Sequence, residues 1–289
     1  MRIQSLSVSV PGKRCINDCA FCVSKMHADR YPNMMDENKP FYDLYQKDYI
    51  QRLEFARDNG CNTVMLTGNC EPQQNRGFLE RFGTINNMLE RPFRWIEMQT
   101  TGVLLDEAYL RFLRNHVRVS TISLSCSSFA SDINAMYNGT RPELKVDIPW
   151  LCAAIKKYDF NLRLSVNLTD EFEKLGVEGI FDAAAALQAD QLTFRQLYVS
   201  GKGTPQDVWI CEHGASEALH DVIRQYIGQA GRPLERLEFG AVKYSVRGMS
   251  VVYDSDCMSV SVKEELKYLI LRENCKLYSH WDDKASLVF

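Results

Sequence analysis

The chain has 289 residues, 45% of them hydrophobic and 25% charged, a balance that supports an ordinary buried core and excludes a disordered, collagen-like or disulfide-stapled miniature protein. Lysine and arginine number 34 against 37 aspartate and glutamate, a formal charge of −3, so no chain-wide positive field draws in nucleic acid. No apolar run is long enough to span a bilayer, and residues 1–10 alternate polar and apolar side chains where a secretion signal carries an apolar block. The chain is read as cytosolic, where its ten cysteines serve packing, metal binding or catalysis in place of disulfides.

In chain order, the alternation over 3–10 predicts a first strand. Tyr45, Tyr49, Leu53 and Ala56 then fall on one helical face, closed by Gly60. A strand is expected at 63–67, a helix at 77–89, a strand at 95–100 and a helix that Asp106 caps. Strands at 119–126, 162–168 and 192–199 follow, separated by a helix at 147–158, with Pro149 in its first turn, and another at 177–187. Strands alternating with helices argue for a parallel sheet with right-handed crossovers, open or curled into part of a barrel, with chemistry at the carboxyl ends of the strands. The Ser-Gly-Lys-Gly-Thr-Pro run from Ser200 reads as a linker or loop. A helix over 216–227 and strand-like segments at 237–246, 249–253 and 266–271 complete a mixed extension. The expected division is a core at 1–200 and an extension at 201–289 that closes the barrel and adds to the substrate site.

Directly after the first strand, Arg14-Cys15-Ile16-Asn17-Asp18-Cys19-Ala20-Phe21-Cys22 sets three thiols on one loop. Thiolates so spaced suit a zinc ion or an iron–sulfur cluster, and no second close pair of cysteines completes a zinc ribbon. A cubane held by three cysteines keeps one iron open to a further ligand. The Cys-x3-Cys-x2-Cys spacing, the aromatic residue before the third cysteine and the position after the first strand of a β/α series resemble the radical S-adenosylmethionine (SAM) superfamily, over roughly residues 1–200.

That resemblance implies an α/β protein, a partial (β/α)6 barrel with a mixed α+β extension. It implies one [4Fe-4S] cluster on Cys15, Cys19 and Cys22, with SAM at the open iron. Reductive cleavage of SAM would give a 5′-deoxyadenosyl radical that abstracts hydrogen from a substrate, with a reductant such as flavodoxin or ferredoxin as partner. By position, Phe21 packs near the adenine. Gly68, Asn69 and Glu71 stand where the family has a Gly-Gly-Glu-Pro-like segment that receives the SAM amino group, and the sequence departs from it at Asn69 and Cys70. Glu71 is expected to face the ammonium. Thr100, Ser125 and Asn167 at strand ends, and Arg195 within the sixth strand, are candidates to hold the ribose hydroxyls and the carboxylate. An inward-pointing strand arginine between Phe194 and Leu197 needs an anionic partner.

Residues 266–277 resemble the arginine-bearing strand and turn of the GTP cyclase of molybdopterin biosynthesis. That branch carries a second cluster on a Cys-x2-Cys pair and a later cysteine. Here Cys257 is followed by Met258, Ser259 and Val260, and Ser279 stands near the later position, so one cluster is expected. Cys257 is a candidate hydrogen donor, and Cys275 a candidate substrate contact or a small buried hydrophobe. A small, phosphorylated or nucleotide-like substrate is expected. The alternatives are a ribosomal peptide or protein substrate and, without enzymatic activity, an iron–sulfur electron carrier or sensor, which would ask for a fourth protein ligand.

Overall fold

The computed structural model describes residues 2–27, 46–237, 241–255, 265–281 and 283–288. The chain opens with β1 (Arg2–Ser9), a short α1 (Val23–Met26), α2 (Gln46–Asp58), β2 (Thr63–Thr67), α3 (Arg76–Met88) and β3 (Trp95–Thr100). It continues through α4 (Glu107–Phe112), which runs on into a π-helical turn, then β4 (Thr121–Cys126), α5 (Ser131–Tyr137), α6 (Ile148–Lys157), β5 (Asn161–Asn167), α7 (Gly176–Ala186) and β6 (Gln191–Arg195). After these come α8 (Pro205–His213), α9 (Glu217–Ala230), β7 (Arg232–Arg236), β8 (Val242–Val246), β9 (Met249–Asp254), β10 (Glu265–Leu271) and β11 (Leu277–Tyr278).

Strands β1 to β6 pair in parallel in sequence order, the arrangement that right-handed helical crossovers produce. Alternation decides which side chains face where. Val64 and Leu66, Ile96 and Met98, Ile122 and Leu124, Leu162 and Leu164, and Leu192 and Phe194 are fully buried in one hydrophobic core with residues of the helices. Their neighbours Thr63, Met65, Glu97, Gln99, Arg163, Gln191 and Thr193 line a central cavity instead. A period of two thus divides an apolar outer face from a polar lumen.

The helix starts follow their caps. Asp106 accepts from Tyr109 N at 2.7 Å, and Asp147 from Trp150 N at 3.0 Å, satisfying amides that the first turn leaves over. The run from Ser200 to Thr204 is a loop, as expected, and helix α8 follows it directly, in a stretch to which the sequence pattern assigns no element. Thr204 and Asp207 form a reciprocal capping box there, with Pro205 in the first turn. Strand β6 ends at Arg195, earlier than the pattern suggests, so this arginine stands at a strand's carboxyl end.

The C-terminal strands extend both edges of the same sheet. Strand β10 adds in parallel to β1, with Ser5 opposite Tyr268, and β11 adds antiparallel to β10. Strand β9 adds in parallel to β6, with Arg195 opposite Asp254, and β8 and β7 follow antiparallel. Among the described residues this makes one 11-stranded sheet in the order β11-β10-β1-β2-β3-β4-β5-β6-β9-β8-β7. The sheet is not closed, as in a partial barrel. No helix among the described residues is long and apolar enough to cross a membrane.

Candidate active site

The loop between β1 and α1 crosses the carboxyl end of the sheet, where residues 71–75 hold it by its backbone. Asn75 Nδ2 donates to Pro11 O (2.9 Å), Gln74 Nε2 donates to Arg14 O (3.0 Å), and Gln74 Oε1 accepts from Ile16 N (2.9 Å). On the other side the amides of Asp18 and Ala20 donate to the carbonyls of Asn138 (3.1 Å) and Tyr137 (3.2 Å). Gly139, with φ +54°, makes that approach feasible, because a Cβ there would lie 2.5 Å from Asp18 O. Loop placement is therefore fixed by partners from the turn after β2 and from the end of α5.

This loop carries Cys15, Cys19 and Cys22 as free, half-buried thiols. Burial pushes the Cys15 and Cys19 thiols up, Cys19 strongly, and the charges of Glu71 and of the other loop cysteines add to the rise. Thiolates that repel one another are the groups a cationic cluster would stabilise together. Among the described residues no three His, Cys, Asp or Glu groups converge on a point as ligands of one metal ion do. Three cysteine thiols on one loop can each take a separate iron of a cluster. Cys70 is also buried nearby, its thiol pushed up to about 12, chiefly by burial and then by the charge of Cys15.

Glu71 does not have the free carboxylate expected of an ammonium ligand. Its Oε2 accepts from Thr100 Oγ1 (2.7 Å) and Gln73 Nε2 (2.8 Å), and its Oε1 accepts from Thr101 Oγ1 (2.7 Å) and Asn17 Nδ2 (3.2 Å). The amide of Thr101 donates to both oxygens. With its lone pairs met by protein donors, Glu71 ties the cysteine loop to the end of β3. The Thr100 hydroxyl belongs to the same knot and also accepts from Gly102 N at 2.8 Å, so it too is taken up by the protein. Asn17, Gln73 and Thr101 were not singled out from the sequence.

The remaining candidates divide. Gly68 and Asn69 line the cavity. Gly68 has φ +154°, and a Cβ there would lie 3.0 Å from Val10 O, so β2 can turn away beside β1 only without a side chain. Phe21 packs on Trp209 of α8, ring centroids 5.6 Å apart, and Trp209 in turn meets Tyr137 and His213. Asn167 Nδ2 donates to Ser125 Oγ at 3.2 Å and Ser127 Oγ at 3.3 Å, joining two expected residues at neighbouring strand ends. Arg195 lines the cavity, and its Nε is shut from solvent with no hydrogen-bond partner among the described residues. Cys257 lies outside the described residues. Cys275 is part of the hydrophobic core, its thiol pushed up to about 11 by burial, a packing position with no exposure for chemistry. Arg272 donates through Nη2 to the carbonyls of His280 and Trp281 and lies over the Tyr278 ring, folding back the chain end.

The cavity has a volume of about 490 Å³ and reaches from Ser24, Gly68, Asn69 and Arg195 beside the cysteine loop to Thr63, Glu97, Arg163 and Gln191 at the amino ends of the strands. A space of this size, lined mostly by polar residues below the cysteine loop, suits a small-molecule site.

A family model described as the radical SAM superfamily matches residues 9–169. The chain belongs to the radical SAM superfamily. Members use a [4Fe-4S] cluster and SAM, and membership makes the protein an enzyme. Solved structures with the same fold include SuiB of Streptococcus suis bound to S-adenosylmethionine (TM-score 0.57, 14% identity, 96% of this chain and 58% of that one). Another is anSMEcpe with bound AdoMet (TM-score 0.60, 16% identity, 96% of this chain and 74% of that one). A third is anSMEcpe with AdoMet and the Cp18Cys peptide (TM-score 0.60, 15% identity, 98% and 75%). The chain thus spans little more than half the length of SuiB. No curated protein sequence matches it.

Proposed function

We propose that this radical SAM enzyme carries a single cluster and takes hydrogen from a small molecule held in its barrel lumen. The observation behind this reading is the placement of three free thiols on one cradled loop at the carboxyl ends of the strands, next to a polar cavity. Cys15, Cys19 and Cys22 would hold the [4Fe-4S] cluster, with SAM between that loop and the cavity. When bound, the pair supplies one-electron cleavage of SAM and, from it, the hydrogen-abstracting species. The residues of the chain bind, orient and exclude water.

Arg195 is assigned to the SAM carboxylate, since a guanidinium with an unmet, water-excluded donor gains most from an anion. With the Glu71 oxygens engaged, the ammonium falls to backbone acceptors of Gly68 and Asn69. Ser125 and Asn167 are assigned to the ribose hydroxyls, Phe21 with Trp209 to the adenine, and Cys257 to hydrogen donation. In this division residues 1–200 hold the cluster and most of the SAM contacts, while 201–289 add Trp209 beside the adenine, extend the sheet and contribute to the substrate site. The GTP-cyclase likeness is not carried over, because Arg272 is occupied in holding the chain end. An electron donor such as flavodoxin or ferredoxin is the required partner. The nine described cysteines are all free, which suits the cytosol.

A peptide or protein substrate is the second reading, since one structural neighbour was solved with a peptide; the likeness to it is one of fold. The deciding experiment is anaerobic reconstitution followed by an assay of SAM cleavage with candidate metabolites and peptides. Formation of 5′-deoxyadenosine that rises with a small metabolite is expected. A fully loaded protein that never cleaves SAM would overturn the proposal.

A further inference from the structure

We propose that the floor of the lumen is an oxyanion receptor, in which Arg163 takes the carboxylate or phosphate of the small substrate on its Nη2 edge. This names the substrate class for the function proposed above and rests on that reading.

Arg163 is held by two of its three nitrogens. Its Nε donates to Gln191 Oε1 at 2.7 Å, and its Nη1 forms an ion pair with Glu97 Oε2. Glu97 is itself steadied by Gln99 Nε2 at 3.4 Å. Among the described residues nothing accepts from Nη2, while the residue lines the cavity. A guanidinium whose plane is already fixed loses little freedom on meeting an oxyanion, and its N–H groups match the spacing of carboxylate or phosphate oxygens. The sheet has no packing need for this group. An ion pair inside a fold stabilises little relative to apolar residues of similar size, and the outer face of the same strands is filled with apolar residues.

Depth sets the size. Arg163 lies four residues below Asn167 on β5, roughly 13 Å at 3.3 Å per residue. A metabolite anchored by its oxyanion at the floor would extend its carbon frame toward the cysteine loop.

The test uses anaerobically reconstituted protein titrated calorimetrically with inorganic phosphate and with acetate, without SAM. Arg163→Gln removes the receptor but strands the Glu97 carboxylate, so a second variant combines Glu97→Gln with Arg163→Gln and its fold is checked by thermal melting. Saturable binding of at least one probe is expected, weakened tenfold or more in both variants, with iron content and SAM affinity as in the unmodified protein. Preference for phosphate would mark a phosphate ester, and preference for acetate a carboxylic acid. Saturable binding of neither probe would overturn the proposal, as would unchanged affinity in a folded double variant. Loss on Arg195→Gln alone would overturn it in favour of that arginine. Phosphate or acetate binding that depends on Arg163 in a protein unable to cleave SAM would support the receptor while removing the function proposed above.

Discussion

The backbone N–H of Thr101 donates to both oxygens of Glu71, at 3.1 and 3.2 Å, and the Thr101 hydroxyl donates to Oε1 at 2.7 Å. Because Thr101 Oγ1 also accepts from Asn17 at 2.7 Å, this one carboxylate fixes the angle between the end of β3 and the cysteine loop. Charge-assisted bonds to a buried carboxylate are each worth about 1.5–3 kcal/mol.

Glu71→Gln turns one acceptor oxygen into a donor facing other donors. The variant is expected to melt several degrees lower, since about 1 kcal/mol moves a chain of this size by roughly 2–4 °C, and to take up less iron. SAM affinity per loaded cluster should stay near the unmodified value. Calorimetric SAM binding and iron analysis on the same preparation check this. Unchanged melting and iron with a tenfold loss of SAM affinity would return Glu71 to the ammonium.

Cys19→Ala should abolish the cluster and leave the fold. The Cys19 thiol contacts Asn138 Oδ1 only at 4.0 Å, and the loop is positioned by backbone bonds to Gln74, Asn75 and Tyr137 that the substitution leaves intact. Reconstituted wild-type protein is expected to hold about four irons, one cubane, and the variant almost none. Iron analysis with circular dichroism reads both; a full cluster in the variant would remove Cys19 as a ligand.

Strands β1 to β6 were legible because their outer faces repeat with period two, as in Ile122 and Leu124 or Leu162 and Leu164, and the cysteine spacing alone located the loop; β7 and β11, short and at the sheet edges, left no such pattern. Helix α8 was not, because its apolar residues Val208, Trp209 and Ile210 fall together without a helical period, and the capping box at Thr204 and Asp207 is its one clear local signal. The engagement of Glu71 could not be read at all. Its partners Asn17 and Thr101 lie 54 and 30 residues away and meet it only once loop and sheet have packed. Glu97 and Arg163 did leave a trace, as charged residues alternating with apolar ones inside two strands, which marks a polar lumen when both fall on the inner face.

Glu273 offers a pH test. It is buried at the end of β10 beside β1, where Ser9 Oγ donates to its Oε1 at 2.6 Å, and burial raises its carboxyl above the ordinary range despite that bond. A carboxyl whose folded value exceeds its unfolded one favours folding most when protonated, and stability falls as pH rises from the ordinary carboxylate range through the raised folded value. Glu273→Gln keeps the acceptor for Ser9 and removes the ionisation. The variant should therefore gain melting temperature relative to the wild type at pH 8 and show a smaller gain at pH 5. Equal shifts at both values would show that the carboxyl ionises without cost.

Arg195→Leu separates cofactor binding from fold and cluster. Arg195 stands at the carboxyl end of β6, opposite Asn167 on one side and Asp254 on the other, and among the described residues its Nε has no partner to lose. Leucine retains part of the stem, so packing against the strands changes little, and none of the three thiols is touched. If the guanidinium meets the SAM carboxylate, its removal costs about 1.5–3 kcal/mol of binding, roughly ten- to a hundredfold in affinity. The expected result is wild-type iron content and melting temperature with a rise of that size in the SAM dissociation constant by calorimetry. Unchanged affinity would mean that the carboxylate is held elsewhere, and it would leave the Arg195 side chain to the substrate in the lumen.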